Sequence, residues 1–283
     1  MTSQKDPLNR DWLDLRRNDE TGIESINAHF SGHAYDAHDH DELLVGVTVQ
    51  GLQRFNCHRF LHTSTPGRAM LIEPGAVHDG HAIDDNGFTY MMLYLPQDWV
   101  STMMQRRGLG DISRIESAFS HTLTDDPLLI SAIQQAFFAI HQQEGRLARD
   151  QGLDNLMTLL SRHIIQKPQS LLSDSPRQIE RLRDYLHENI ASDMGLDELS
   201  HQLGIDRFRL SRQFKKHYGL SPHAYLVRLR LRTARILLAK GIEPALVADQ
   251  VGFSDQSHMG RWFQRAYRLS PAAYQRRCTN ILD

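Results

Sequence analysis

Hydrophobic and polar positions change their period along the chain. Between residues 24 and 95 the apolar residues come in short runs broken by glycine and proline: ELLVGVTVQG (42–51), the alternating LQRFNCHRF (52–60), PGRAMLIEPG (66–75) and GFTYMMLYLP (87–96). Short strands at such close spacing predict a β-sandwich or small barrel, not a parallel sheet with crossover helices. After Pro96 the period becomes helical. In PLLISAIQQAFFAIHQQEG (127–145), Leu129, Ile133, Phe137 and Ile140 recur at intervals of four and three, and LDNLMTLLSRHIIQ (153–166) reads as a second helix. That apolar stripe either closes the bottom of the barrel or forms the seam of a homodimer. KPQSLLSDSP (167–176) predicts a linker, and the rest of the chain reads as helix. The pattern thus divides the chain into a β domain (1–98), a helical segment (99–166), the linker, and an all-helical domain (177–283).

The helical domain repeats itself. RQFKKHYGLSPHAYLVR (212–228) aligns with RWFQRAYRLSPAAYQRR (261–277) at an offset of 49, and LSHQLGI (199–205) aligns with VADQVGF (247–253) at 48. Each copy has the grammar of a helix–turn–helix. Apolar residues four apart (Leu199 and Leu203; Val247 and Val251) precede a turn glycine (Gly204; Gly252), an apolar residue (Ile205; Phe253), an N-cap (Asp206; Ser254) and a second helix. In that helix Leu210 and Phe214, or Met259 and Phe263, face the core of the unit. At about 100° per residue, Phe208, Arg212 and Lys215 then point outward, as do Ser257, Arg261 and Gln264 in the second copy. SPHAYLVRLRLRTARILLAK (221–240) predicts one long connecting helix, with Leu226, Leu229, Ile236 and Leu238 as apolar positions and Gly241 as its stop.

Charge sharpens this division. The chain carries 32 Lys+Arg against 34 Asp+Glu, a formal net charge of −2. Residues 177–283 hold 18 basic and 11 acidic side chains, a net +7, which leaves 14 against 23, or −9, for residues 1–176. A basic repeated helical unit beside an acidic β half points to a polyanionic partner for the former. A helix fits the major groove of double-stranded DNA, where arginine can bridge guanine O6 and N7 and an aromatic ring can touch the thymine methyl. Arg207, Arg209, Lys216 and Arg265, flanking the outward stripes, suit phosphate contacts. No run approaches the ~18 apolar residues of a membrane span. The N-terminus lacks the apolar segment of a signal peptide, and two cysteines, Cys57 and Cys278, fit a reducing compartment, so a cytoplasmic location is expected.

LDELSHQLGIDRFRLSRQFKKHYGLSPHAYLVRLRLRTARILLAKG, followed by VADQVGFSDQSHMGRWFQRAYRLSPAAYQRR, resembles the paired helix–turn–helix domain of AraC/XylS transcription regulators. The resemblance implies base contacts from Phe208, Ser211 and Arg212 in the first copy and from Gln256, Ser257, Gly260 and Arg261 in the second. It also implies RNA polymerase as a further partner. Two positions depart from the family pattern. Gly260 replaces the usual Ser or Thr, which removes that contact, and Arg268 replaces the glycine present as Gly219 in the first copy, which predicts a different end for the second helix.

Eight of the sixteen histidines lie within the first 81 residues. HDHDE (38–42) sets His38, His40 and Glu42 at alternate positions, so on an extended strand all three share a face, and PGAVH (74–78) adds His78. Three imidazoles and a carboxylate converging inside a barrel could hold a first-row metal. The two segments also resemble the histidine-bearing motifs of the cupin barrel, which forms the effector domain of many AraC-type regulators. Cupin enzymes use such residues for metal, whereas the regulators' barrels usually bind a small molecule without one. The expectation is therefore an organic effector pocket, with no metal and no cofactor, lined by His38, His40, Glu42, His78, Arg54 (able to pair with a carboxylate), Tyr90 and Met92. The fold expected is a cupin-like β-barrel followed by helices and an all-α domain of two helix–turn–helix units joined by a long helix. The leading function is an effector-controlled, sequence-specific DNA-binding regulator. The alternative is a metal-dependent cupin oxygenase or isomerase with a DNA-binding appendage.

Overall fold

The computed structural model describes residues 11–58, 60–107, 119–164, 177–193 and 195–279, so the predicted linker at 167–176 lies outside the described residues. The chain separates into two compact units, residues 1–167 and 168–283.

The first unit is built on two antiparallel sheets. One contains β1 (Trp12–Arg17), β2 (Glu24–Phe30), β4 (Leu43–Gly51), β7 (Ala69–Ile72), β9 (Phe88–Leu95) and the two-residue β10 (Leu123–Thr124), in the order β1-β2-β9-β4-β7-β10. The other contains β3 (His33–His38), β5 (Gln53–Cys57), β6 (Phe60–Ser64) and β8 (His78–Ala82), in the order β3-β8-β5-β6. The β structure thus starts earlier than the apolar runs indicated and recruits a strand from beyond residue 98.

Strand β9 pairs with β2 on one side and β4 on the other, and it is buried on both faces. Its period-two alternation separates two environments. Met91, Leu93 and Leu95 join Val45, Val47 and Leu71 in a core with helices α1 (Gln97–Arg106), α2 (Pro127–His141) and α3 (Arg146–Leu160). Phe88, Tyr90, Met92 and Tyr94 occupy the opposite face, and ring contacts such as Phe30–Tyr35 and His40–Tyr94 join that face to the smaller sheet. Gly46 faces Met92 across the ladder, and a Cβ there would stand 2.6 Å from the Met92 sulfur. Glycine is what lets that side chain lie flat.

The stripe Leu129, Ile133, Phe137 and Ile140 lies wholly in this core. It closes the barrel and is not a dimer seam. Helix and sheet share one apolar interior, in which α2 meets β1, β2, β4 and β9; Asp126 caps the helix, its carboxylate accepting from the Leu128 and Leu129 amides.

The second unit comprises α4 (Arg177–Glu188), α5 (Leu196–Leu203), α6 (Arg207–Tyr218), α7 (Pro222–Ala239), α8 (Pro244–Gln250), α9 (Gln256–Tyr267) and α10 (Pro271–Thr279). Leu210 and Phe214 of α6 pack with Leu199, Ile205 and the α4 residues Ile179, Leu182 and Leu186. Met259 and Phe263 are their buried counterparts in α9. The repeated Leu-Ser-Pro is a helix start: Ser221 and Ser270 accept from the Ala224 and Ala273 amides, and proline occupies the first turn, where no amide hydrogen is needed.

Three expectations change here. The cap of α9 is Asp255, not Ser254; Asp255 accepts from the His258 amide, so Ser254 is the extra residue behind the shift in offset from 48 to 49. Arg268 adopts the left-handed conformation (φ 58°) and closes α9 with the same amide-to-carbonyl bond that Gly219 (φ 77°) makes at the end of α6. The cap is therefore conserved at a backbone cost to a residue with a Cβ. On α7, Ile236 is exposed and Leu226 only half-buried, whereas Val227, Leu231 and Ala234 fill the core, since the helix packs on both helix–turn–helix units and its buried face is broad.

The two helix–turn–helix units are locked to each other. Arg230 of α7 donates to the carbonyls of Ile190 and Ser192 at the end of α4 and lies 5.9 Å from the Phe253 ring centre, and burial pushes its pKa down. Gly252, at φ 83°, abuts Ala191, and a Cβ would lie 2.6 Å from the Ala191 Cα. Gly252→Ala is expected to destabilise the second unit by about 2 kcal/mol or more, whereas Arg268→Gly, which relieves a left-handed residue, should stabilise it by up to about 1 kcal/mol. Thermal unfolding of the full chain with each substitution checks the opposite signs.

Candidate functional site

Two surfaces carry chemistry, one in each unit. In the helical unit, Asp206 fixes the start of α6 by accepting from the Phe208 and Arg209 amides at 3.0 Å each. With Leu210 and Phe214 turned into the core, Phe208, Arg209, Arg212, Lys215 and Lys216 are exposed and Ser211 is half-buried. Phe208 is 69% exposed, a large apolar ring in water on a basic helix. Arg207 has a contact within the protein. One guanidinium nitrogen, Nη1, donates to both carboxylate oxygens of Asp197 at 2.9 Å, and the group lies 5.0 Å from the Phe208 ring centre, tying α6 to α5 and buttressing the aromatic.

On α9, Gln256, Ser257, Arg261, Gln264 and Arg265 are exposed at the equivalent positions. Gly260 sits among them with space around it: the nearest neighbour of an added Cβ is the Pro271 Cδ at 4.0 Å. Behind this face, the Trp262 indole donates to His258 Nε2 at 3.1 Å, which requires the proton on Nδ1, facing the Ser254 hydroxyl at 3.0 Å. Arg265 stacks over the Trp262 ring. Sequence reasoning found the outward stripes but missed this buttressing, because Asp197 and His258 gain their meaning only from the neighbouring turn.

In the β unit, His38, His40 and His78 converge. All three are buried, and each offers one ring nitrogen such that those nitrogens lie within 4.8 Å of one another. His38 pairs with His78 across β3 and β8, and the His40 carbonyl accepts from the Gly75 amide at 2.7 Å, which clips the loop after β3 to the turn before β8. Tyr35 packs edge-on against His38 and Tyr94 edge-on against His40. The Tyr35 hydroxyl accepts from the Gln53 amide at 3.1 Å, and loss of solvation pushes the pKa of Tyr35 and of Tyr90 up, so both remain O–H donors. Tyr90 and Met92 lie on the same inward face of β9 as Tyr94.

Two expected members are not among these three. The strand ends at His38, so the alternation that predicted a shared face for Glu42 does not run on to it, and the ligand atoms within 4.8 Å of one another are those of the histidines. Arg54 lies between the buried Gln53 and Phe55 and pairs with Thr63 and His81, on the face of its sheet opposite to Cys57 and His78. Tyr35, Gln53 and Tyr94 were missed. Tyr94 was readable two residues beyond Met92, whereas the register shifts in β3 conceal Tyr35.

One further juxtaposition has the composition of a hydrolase triad. The Ser25 hydroxyl is 2.9 Å from His141 Nδ1, and His141 Nε2 is 3.1 Å from Asp14. Ser25 is completely buried on β2, so it has no access to a substrate, and the group ties α2 to the sheet. Burial pushes the His141 pKa down.

Both units match known proteins. Residues 20–157 match the model of an AraC-like ligand binding domain, and residues 199–277 that of a helix-turn-helix domain. The chain belongs to the AraC/XylS family of transcriptional regulators. It is 27% identical over 228 residues to the uncharacterized HTH-type transcriptional regulator YbfI of Bacillus subtilis, covering 78% of this regulator and 80% of that one. It is 26% identical over 245 residues to the HTH-type transcriptional activator RhaS of Escherichia coli, covering 83% and 84%. Among solved structures, ToxT from Vibrio cholerae O395 shares the fold at a TM-score of 0.59, with 10% identity over 93% of this chain and all of that one. An unsaturated fatty acid bound form of ToxT gives 0.55, with 13% identity over 97% and 98%. The regulator thus combines an N-terminal ligand-binding domain with a C-terminal helix–turn–helix domain. Among the described residues, no helix is long and apolar enough to cross a membrane.

Beside the regulator's histidine cluster, His58 (φ 51°) bonds to the Glu73 carboxylate at 2.7 Å, while Glu73 also accepts from the Phe119 amide at 3.2 Å. The neighbouring Cys57 thiol and the Glu73 carboxylate push the His58 pKa up to about 10. A raised imidazole pKa stabilises the fold fully below the ordinary value near 6.5 and loses that contribution as pH rises through about 10. Thermal scans should show the native protein losing stability relative to His58→Asn across this window, asparagine being tolerated at positive φ. Parallel curves for the two proteins would contradict the assignment.

Proposed function

We propose that the regulator reads double-stranded DNA through the exposed faces of α6 and α9. The observation that supports this is their equivalence: two helices, each with an aspartate cap, a left-handed closing residue and a buried Phe, present exposed positions in register, and solvation alone gives no reason for that. Phe208, Ser211, Arg212 and Lys215 take base edges in the first unit, and Gln256, Ser257, Arg261 and Gln264 in the second. Arg209, Lys216 and Arg265 take phosphates. Arg207 reaches a phosphate only by leaving Asp197, an exposed pair worth at most about 1 kcal/mol, so its first role is to hold Phe208 in place.

The effector is a small molecule bound among His38, His40, His78, Tyr90 and Met92, on the inward faces of the two sheets. It acts by differential affinity for two arrangements of the protein, since a ligand that binds both equally shifts neither. The location is cytoplasmic, and RNA polymerase is the downstream partner, in keeping with relatives that are transcriptional activators. A homodimer, if formed, uses a surface other than the buried stripe of α2. The chain reads as a regulator and not as an enzyme, in keeping with relatives that are transcriptional regulators, and the Ser25 hydroxyl is fully buried.

Quantitative gel shifts with the full-length protein test the assignment of roles. Arg212→Ala should cost about 1–3 kcal/mol and relax preference at one base position, whereas Lys216→Ala should weaken binding to all sequences about equally and lower the salt dependence by about one phosphate. Equal loss of discrimination in both variants would overturn the division into base and phosphate contacts. Gly260→Ser, which the open space accommodates, should alter preference at a single base position without loss of stability.

A further inference from the structure

We infer that His38, His40 and His78 form a binding site for one divalent first-row transition metal ion, with zinc as the reference ion. The site lies within the effector-binding region of the regulator reading and deepens it: the ligand-binding domain would be a metal-loaded one.

The chemistry of the donors carries the inference. All three imidazoles are more than nine-tenths buried, come from two separate segments, and crowd together with ring centroids 4.6 Å (His38–His78), 4.7 Å (His38–His40) and 5.3 Å (His40–His78) apart. Buried imidazole nitrogens need partners, and a metal ion is one that all three can take at once. Two of the tautomers are set by the backbone. His38 Nδ1 is 2.7 Å from the Asp36 carbonyl and His78 Nδ1 is 2.9 Å from the Ala76 carbonyl. A carbonyl only accepts, so each Nδ1 carries the proton, and the Nε2 of each ring bears the lone pair a metal takes. This carbonyl–imidazole arrangement is the outer-shell pattern that orients metal-binding histidines.

The spacing also fits. A tetrahedral zinc ion holds nitrogens at about 2.0–2.1 Å, which sets them about 3.4 Å apart. Ring nitrogens that already lie within 4.8 Å of one another reach that separation by ring displacements of about an ångström. The frame needs no rearrangement for this, because the β3–β8 pairing and the Gly75-to-His40 bond already hold both segments. Three protein imidazoles meet there, and a fourth position taken by water or an exogenous ligand would complete a tetrahedral shell.

The test is a titration of the full-length, chelator-stripped protein with Co2+ and then Zn2+. The expected result is one tight equivalent per chain, a visible Co2+ absorption of low-symmetry nitrogen ligation, its displacement by Zn2+, and a rise in thermal midpoint on loading. His78→Gln should weaken binding about a hundredfold or more, while His33→Gln, on the exposed end of β3, should leave it unchanged. If His78→Gln fails to fold, the native protein still decides. Absence of a tight equivalent overturns the inference, and an intense thiolate-to-metal band overturns the three-histidine assignment by placing Cys57 in the site. Sequence-selective DNA binding that persists in a protein unable to hold metal would leave the regulator reading standing while this inference falls.

Discussion

Everything in the N-terminal unit depends on burying one strand from both sides. β9 is hydrogen-bonded along both edges and covered on both faces, so each of its residues is committed to one of two environments. Odd-numbered positions from Met91 to Leu95 supply the core shared with α2 and α3. Even-numbered positions from Phe88 to Tyr94 form a wall of aromatic and sulfur-bearing side chains opposite the histidines. A slip of one residue would exchange the two sets and lose both the core and the ligand wall. The helices therefore do more than cap the barrel, because they hold the register that creates its interior.

The helical unit solves a different problem, which is to present two similar helices from one rigid body. Its devices are local and repeated: an aspartate cap, a left-handed closing residue, and a Ser-Pro start for the following helix. Joining the units needs contacts that no repeat can encode. Arg230 reaching the end of α4, and the turn glycine Gly252 pressed on Ala191, belong to the connection and to neither copy alone. The strain accepted at Arg268 shows that the shape of this cap outweighs the local preference of the residue occupying it.

The exposure of the outward stripes and the meeting of the histidines were legible in the sequence, and what was not legible has particular causes. Phe208, Arg212, Lys215, Ser257, Arg261 and Gln264 are exposed as helical periodicity requires. The meeting of His38, His40 and His78 was readable from two motifs, but Glu42 was not separable from them, since alternation counts only while a strand continues and β3 stops at His38. Arg54 was misplaced because its strand is buried on one face alone, and only pairing with β6 and β8 shows which face that is. The stripe of α2 looked the same whether it met a sheet or a second subunit, because burial of apolar area is not directional.

Taken alone, the sequence determined those properties that follow from spacing along one chain: the two-part organisation, the doubled helix–turn–helix, the outward stripes and the charge division between the halves. These rest on periods of 3.6 and 2 and on turn chemistry, all of which are local. Only the tertiary structure decided which partner each surface meets. It sent the α2 stripe to the sheet, paired Arg207 with Asp197, turned Arg54 away from the interior and brought His78 beside His38 and His40. Those outcomes depend on hydrogen bonds and packing between distant segments, whose free energies exist only once the segments are brought together.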